Sequence, residues 1–154
     1  MQHLIKALGI TTVLLASSAY AETVAFPKNA ALTYSGNGGV TATMAYGRSA
    51  SNYNINTTFK IPLYSMQFRS SGGMNGNTMV PNSYSDTRRG KLYAQAKFNH
   101  GSKTITYGKA GESKTAPMRG VPMDLFSLAW QLALNNGKVS GVSQFTNGKK
   151  VYNE

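Results

Sequence analysis

The chain has 154 residues, 16 of them basic and five acidic, for a formal net charge of +11, and it contains no cysteine. The absence of cysteine excludes disulfides, thiolate nucleophiles and thiolate metal sites, so packing and hydrogen bonding alone must hold the fold. The positive excess favours anionic partners. The basic residues are nevertheless scattered, with Arg88, Arg89 and Lys91 as their densest group, and most read as solvated charges on loops and strand faces.

The N-terminus carries an export pattern. Lys6 precedes an apolar run of ten residues, 7–16, followed by Ser17, Ser18 and the small-x-small step Ala19-Tyr20-Ala21. This order predicts a secretory signal peptide over residues 1–21, cleaved after Ala21, and a single periplasmic domain over residues 22–154. The run is shorter than the roughly 20 apolar residues that span a bilayer, and no other stretch approaches that length, so no transmembrane segment is expected. Loss of Lys6 leaves 15 basic against five acidic residues, a net charge of +10. The anions met outside the cytoplasm are lipid head groups and acidic glycans, and nucleic acid is not an expected partner.

A meander of strands follows. Residues 32–34 open the sheet, and the turn Gly36-Asn37-Gly38-Gly39 leads into the alternating set Val40, Ala42, Met44 and Tyr46. Tyr53, Ile55, Thr57, Phe59 and Ile61 then face one way, against Asn52, Asn54, Asn56, Thr58 and Lys60, a strict period of two that predicts one dry and one wet face. Residues 63–69 place Met66 and Phe68 on the dry face before a break at Gly72-Gly73. After a polar turn, Leu92, Ala94, Ala96 and Phe98 alternate, and the turn Asn99-His100-Gly101-Ser102 joins them to residues 103–107 as a hairpin. Residues 111–119 fit strand or loop.

Asp124 then reads as the N-cap of a helix over residues 125–134, closed by Asn135-Asn136-Gly137. Its apolar residues cover most of the circumference, which predicts a buried helix with the sheet curled around it. Residues 139–146 and 149–153 form a last strand pair about the turn Asn147-Gly148. The sequence stops at Glu154 within that second strand, as expected of a chain lacking C-terminal strands.

These elements, with Leu-Thr-Tyr at 32–34, Lys91-Leu92-Tyr93, the helix opening Val121-Pro122-Met123-Asp124-Leu125-Phe126-Ser127 and the hairpin Asn147-Gly148-Lys149-Lys150-Val151-Tyr152, resemble the periplasmic proteins grouped as domain of unknown function 3108. The resemblance implies a mainly β fold, an antiparallel meander forming an open, incompletely closed barrel wrapped around one buried helix. It implies neither an assigned activity nor catalytic residues. Family members continue through further strands after the Val-Tyr hairpin.

No catalytic, cofactor or metal constellation stands out. His100 is the one histidine after the signal peptide and falls in a turn, whereas zinc needs three or four ligands. Serine lacks a Gly-x-Ser-x-Gly elbow, and the glycine-rich turn at 36–39 precedes a strand rather than a helix, unlike a phosphate loop. The expected function is therefore non-enzymatic: binding or scaffolding of a lipid or another amphiphilic or anionic envelope component, with Tyr53, Phe59, Met66, Phe68 and Trp130 lining or filling the interior. The alternative is a periplasmic hydrolase using Asp86, Glu112 and His100. A third reading is a non-functional fragment.

Overall fold

The computed structural model describes residues 26–138 and 140–153; the expected signal peptide lies outside them. Eight strands run β1 (Asn29–Ser35), β2 (Thr41–Arg48), β3 (Asn52–Ile61), β4 (Tyr64–Asn75), β5 (Thr78–Arg88), β6 (Lys91–Asn99), β7 (Thr104–Lys109) and β8 (Lys114–Pro117). Each pairs antiparallel with its sequence neighbours, giving one eight-stranded meander. A short strand β9 (Pro122–Asp124) leads directly into helix α1 (Leu125–Leu134). Two more, β10 (Gln144–Thr146) and β11 (Val151–Asn153), complete a second sheet in which β10 lies between a parallel β9 and an antiparallel β11. Among the described residues the fold is thus mainly β with one α-helix. Strands β1 and β8 remain the two edges of the large sheet, so its eight strands do not close on one another.

The period-two pattern of β3 is realised over its first half, where Tyr53, Ile55 and Thr57 are buried while Asn52 and Asn54 on the other face are exposed, but Ile61, expected on the dry face, is 41 % exposed at the end of the strand. Register places Phe59 opposite Met66 and Thr57 opposite Phe68, so β3 and β4 share one inner face. Two apolar clusters form on the inner side of the sheet. Tyr46, Tyr53, Ile55, Met79, Met123 and Trp130 make the first, Tyr84, Ala96, Phe98 and Ile105 the second, and Phe126 of α1 packs against both.

Five further expectations need correction. Gly72-Gly73 does not end a strand, because β4 runs through both glycines to Asn75, and the segment read as a polar turn is β5. Here Ser71 pairs with Ser83 and Gly72 with Pro81, leaving Asn82 as the extra residue of a bulge. Proline, which cannot donate to a ladder, is tolerated at such an irregularity. Gly72 is required by close approach: a Cβ there would collide with the carbonyl oxygen of Val80 and lie 2.8 Å from Pro81 Cα. Gly72→Ala is therefore expected to destabilise the protein by about 2 kcal/mol or more. Gly73→Ala, whose Cβ would meet nothing nearer than 3.6 Å, should cost less; the two urea midpoints give the comparison.

The helix is not buried all round. Its inner side presents Ser127, Trp130 and Gln131 to the core, while Ala129, Ala133 and Leu125, the last 42 % exposed, face outward. The sheet leaves that side uncovered because its edges do not meet. The strand expected over 139–146 is confined to Gln144–Thr146. The following turn spans four residues rather than two, since the Asn147 side chain accepts the backbone N–H groups of both Lys149 and Lys150 at 3.0 Å and holds them out of the ladder.

Candidate functional site

Where the sheet leaves α1 uncovered, a groove of about 390 Å³ runs between the β1–β2 pair and the helix. Phe26, Pro27, Ala30 and Leu32 form one wall, Met44 contributes from β2, and Ala129, Trp130 and Ala133 line the helix side. All eight are apolar. The spacing of Ala129 and Ala133 on successive turns puts two small residues on one helix face, which leaves the space that longer side chains would fill.

Trp130 anchors the site. Its ring stacks on that of Tyr46 with centroids 4.0 Å apart and planes within 8°, and Phe26 meets both edge-on at 5.8 and 5.9 Å. The indole N–H donates to Met44 Sδ at 3.2 Å, so the tryptophan's one polar group is occupied. Burial pushes the Tyr46 phenol above its ordinary pKa, with Arg48 pulling in the opposite direction. The Arg48 guanidinium lies 6.0 Å from the centre of the Phe26 ring and donates to Asn77 Oδ1. Among the described residues neither Arg48 Nε nor the Tyr46 hydroxyl, both buried, has a hydrogen-bond partner. The greasy trough thus shares one wall residue, Phe26, with the surroundings of a cation that has an unused donor.

Beneath it sits a buried polar cluster. Asp124, fully buried, accepts from the backbone N–H groups of Phe126 and Ser127 at 3.0 Å through Oδ1 and from Ser70 Oγ at 2.6 Å through Oδ2. The Ser127 hydroxyl in turn accepts the Asp124 N–H at 2.9 Å, completing a capping box. Ser70 Oγ also meets the Tyr53 hydroxyl at 3.0 Å. Desolvation raises the Asp124 carboxyl pKa, opposed by these hydrogen bonds. Burial, with the Asp124 charge nearby, likewise drives the Tyr53 phenol far above its usual value. A further inward polar group, Gln131, accepts the Met79 N–H at 2.6 Å and donates to the Asn77 carbonyl at 2.8 Å, tying α1 to the start of β5. These groups satisfy one another, which makes the cluster a lock between helix and sheet.

Of the five side chains expected to line a ligand site, only Trp130 borders the groove. Tyr53 is committed to Ser70, Phe59 packs edge-on against Phe68 at 5.9 Å, Phe68 lies 5.2 Å from Phe126, and Met66 stands opposite Phe59. The groove's other walls escaped sequence reasoning. Met44 carried a strand signal, whereas Ala30, Ala129 and Ala133 act through small size, which leaves no periodic trace.

The trio considered for hydrolysis is not brought together. Asp86, buried on β5, is held by Arg88 at 3.0 Å. Glu112, in the turn after β7, pairs with Lys114 at 3.1 Å, which keeps its carboxyl below the ordinary range. His100 lies in the turn at the other end of β6, where its Nε2 contacts the Pro81 carbonyl at 2.7 Å. Asp86 pairs with Ala94, so six steps along the chain, roughly 20 Å at about 3.3 Å per residue, separate its row from the histidine. Among the described residues no three of His, Asp and Glu assemble as a metal site, and no helix is long and apolar enough to cross a membrane. Comparison of the chain with models of protein families, with curated proteins and with solved structures finds no match.

Proposed function

We propose that this protein is a non-enzymatic carrier of an anionic amphiphile, whose apolar tail lies in the groove beside Trp130 and whose charged end meets Arg48. The observation that carries the reading is the composition of the groove: eight apolar walls, with the buried, unpartnered Nε of Arg48 next to Phe26. Pockets for small molecules combine a mostly apolar lining with a few placed polar groups. The reading includes export to the periplasm, supported by the pattern over residues 1–21. It also includes kinship with the domain of unknown function 3108 proteins, and it treats the large sheet as an open barrel partly wrapped around α1. The capped helix after Asp124 and the β10–β11 hairpin support that kinship.

Trp130 is the only tryptophan in the sequence, so its emission reports on the groove. Titration of laurate into the purified protein should shift Trp130 emission saturably, and native mass spectrometry should detect the one-to-one complex. A flat titration up to the solubility limit of laurate, together with no bound species in the mass spectrum, rules the reading out.

A further inference from the structure

In an antiparallel meander alternate turns share an end, so the β1–β2, β3–β4, β5–β6 and β7–β8 turns all lie at one end of the large sheet. Neighbouring tips touch there. The Gly39 Cα faces the Pro62 ring, the Arg89 N–H donates to the Ser65 carbonyl at 2.9 Å, and the Arg89 guanidinium lies 5.1 Å from the centre of the Tyr64 ring.

Leu63 stands at the tip of the β3–β4 turn, 97 % exposed, with φ at +64°. After a proline, a turn position of this kind favours glycine or asparagine, and a leucine there carries a backbone cost. Its side chain gains no packing in return. The same end exposes Val40, Ile61 and Leu92. The charges beside these residues are Lys60, Arg89, Lys91 and Lys109, and a cleft of about 400 Å³ behind them gathers Lys149 and Lys150 with Lys114. Among the described residues both carboxylates at this end are already engaged, Glu112 by Lys114 and Asp86 by Arg88. The surface is therefore apolar at its tip and cationic around it.

We infer that this end of the sheet docks on a bilayer containing anionic phospholipid, with Leu63 entering the acyl boundary and the surrounding lysines and arginines meeting head-group phosphates. Charge complementarity selects this partner: an uncharged apolar surface would match Leu63 and leave the cations unanswered, whereas an anionic membrane interface answers both. Long basic side chains suit this role because their stems can lie along lipid while their heads stay hydrated. None of the groove residues takes part, so the inference goes beyond the carrier reading and stands apart from it.

The test is co-sedimentation of the full protein with vesicles of phosphatidylcholine mixed with phosphatidylglycerol, and with vesicles of phosphatidylcholine alone. The wild type should sediment with the anionic vesicles, less so as salt is raised, and remain in solution with the neutral ones. Leu63→Asn should weaken anionic binding about tenfold while its melting temperature stays level or rises, because asparagine suits the left-handed position. The double change Lys60→Gln with Arg89→Gln should weaken binding and reduce its salt dependence. Ala133→Glu, in the groove, should sediment as the wild type does. Equal vesicle binding by Leu63→Asn and the wild type overturns the inference. So does self-association of the wild type, without vesicles, that Leu63→Asn abolishes, since a second copy would then cover the tip.

Discussion

Asp124→Ala should lower the unfolding free energy by about 3 to 5 kcal/mol, as judged from the cost of losing a helix cap and of leaving buried donors unpaired. Three donors lose their acceptor at once: the N–H groups of Phe126 and Ser127 at the start of α1, and the Ser70 hydroxyl across the sheet. Asparagine keeps a side-chain oxygen for the two N–H groups and can donate to Ser70 Oγ, so Asp124→Asn should cost far less, about 1 kcal/mol. The two variants also differ in their response to pH. Burial raises the Asp124 pKa in the folded protein, so between the ordinary carboxylate value and the raised one the folded state holds more protons than the unfolded state. Stability then falls as pH rises from about 4 through the folded pKa, and levels off above it. Glu112, lowered by Lys114, acts with the opposite sign, but it is unaltered in the variant. Subtracting the Asp124→Asn curve from that of the wild type therefore isolates the aspartate. Urea unfolding at a series of pH values measures both effects, and parallel curves would remove the buried carboxylate from the account.

How much of this was legible in the sequence depends on how far each feature reaches along the chain. The pattern of β3 was readable because its buried and exposed residues alternate within ten positions, and Asp124 was readable as a cap because its partners, Phe126 and Ser127, lie two and three residues away. The same aspartate's burial was not, since it depends on Ser70, 54 residues distant. Strand β5 was missed for a different reason. Pro81, Asn82, Ser83 and Asp86 have the composition of a turn, yet the proline sits at a bulge and the aspartate is neutralised by Arg88 two residues on. Tertiary pairing with β4 and β6 overrode local propensity there. The all-round burial expected of α1 failed because an apolar circumference states what a helix can cover, while the sheet determines how much of it is covered. The uncovered part borders the groove. Its walls come from residues 26–44 and 129–133, and no local window of sequence contains both.

Ala133→Glu should weaken laurate binding about a hundredfold or more while leaving the fold almost unchanged. Ala133 is exposed and lines the groove, so a longer side chain meets no core residue. Glutamate is a good helix former, and a negative charge in the last turn of α1 costs only about 0.5 kcal/mol. In the complex the situation reverses. An acyl chain lying against Ala129, Trp130 and Ala133 would have to strip water from the new carboxylate without providing a hydrogen bond, and burying an unpaired charge costs several kcal/mol. Ala133→Leu separates charge from bulk: it fills part of the trough but remains apolar, so it should weaken binding less than glutamate does and favour shorter chains such as octanoate. Isothermal titration with laurate and octanoate, read beside Trp130 emission, orders the three proteins. If glutamate at position 133 leaves the laurate Kd where it was, the tail does not lie between β1 and α1, and the unpartnered Arg48 Nε must be explained without an amphiphile.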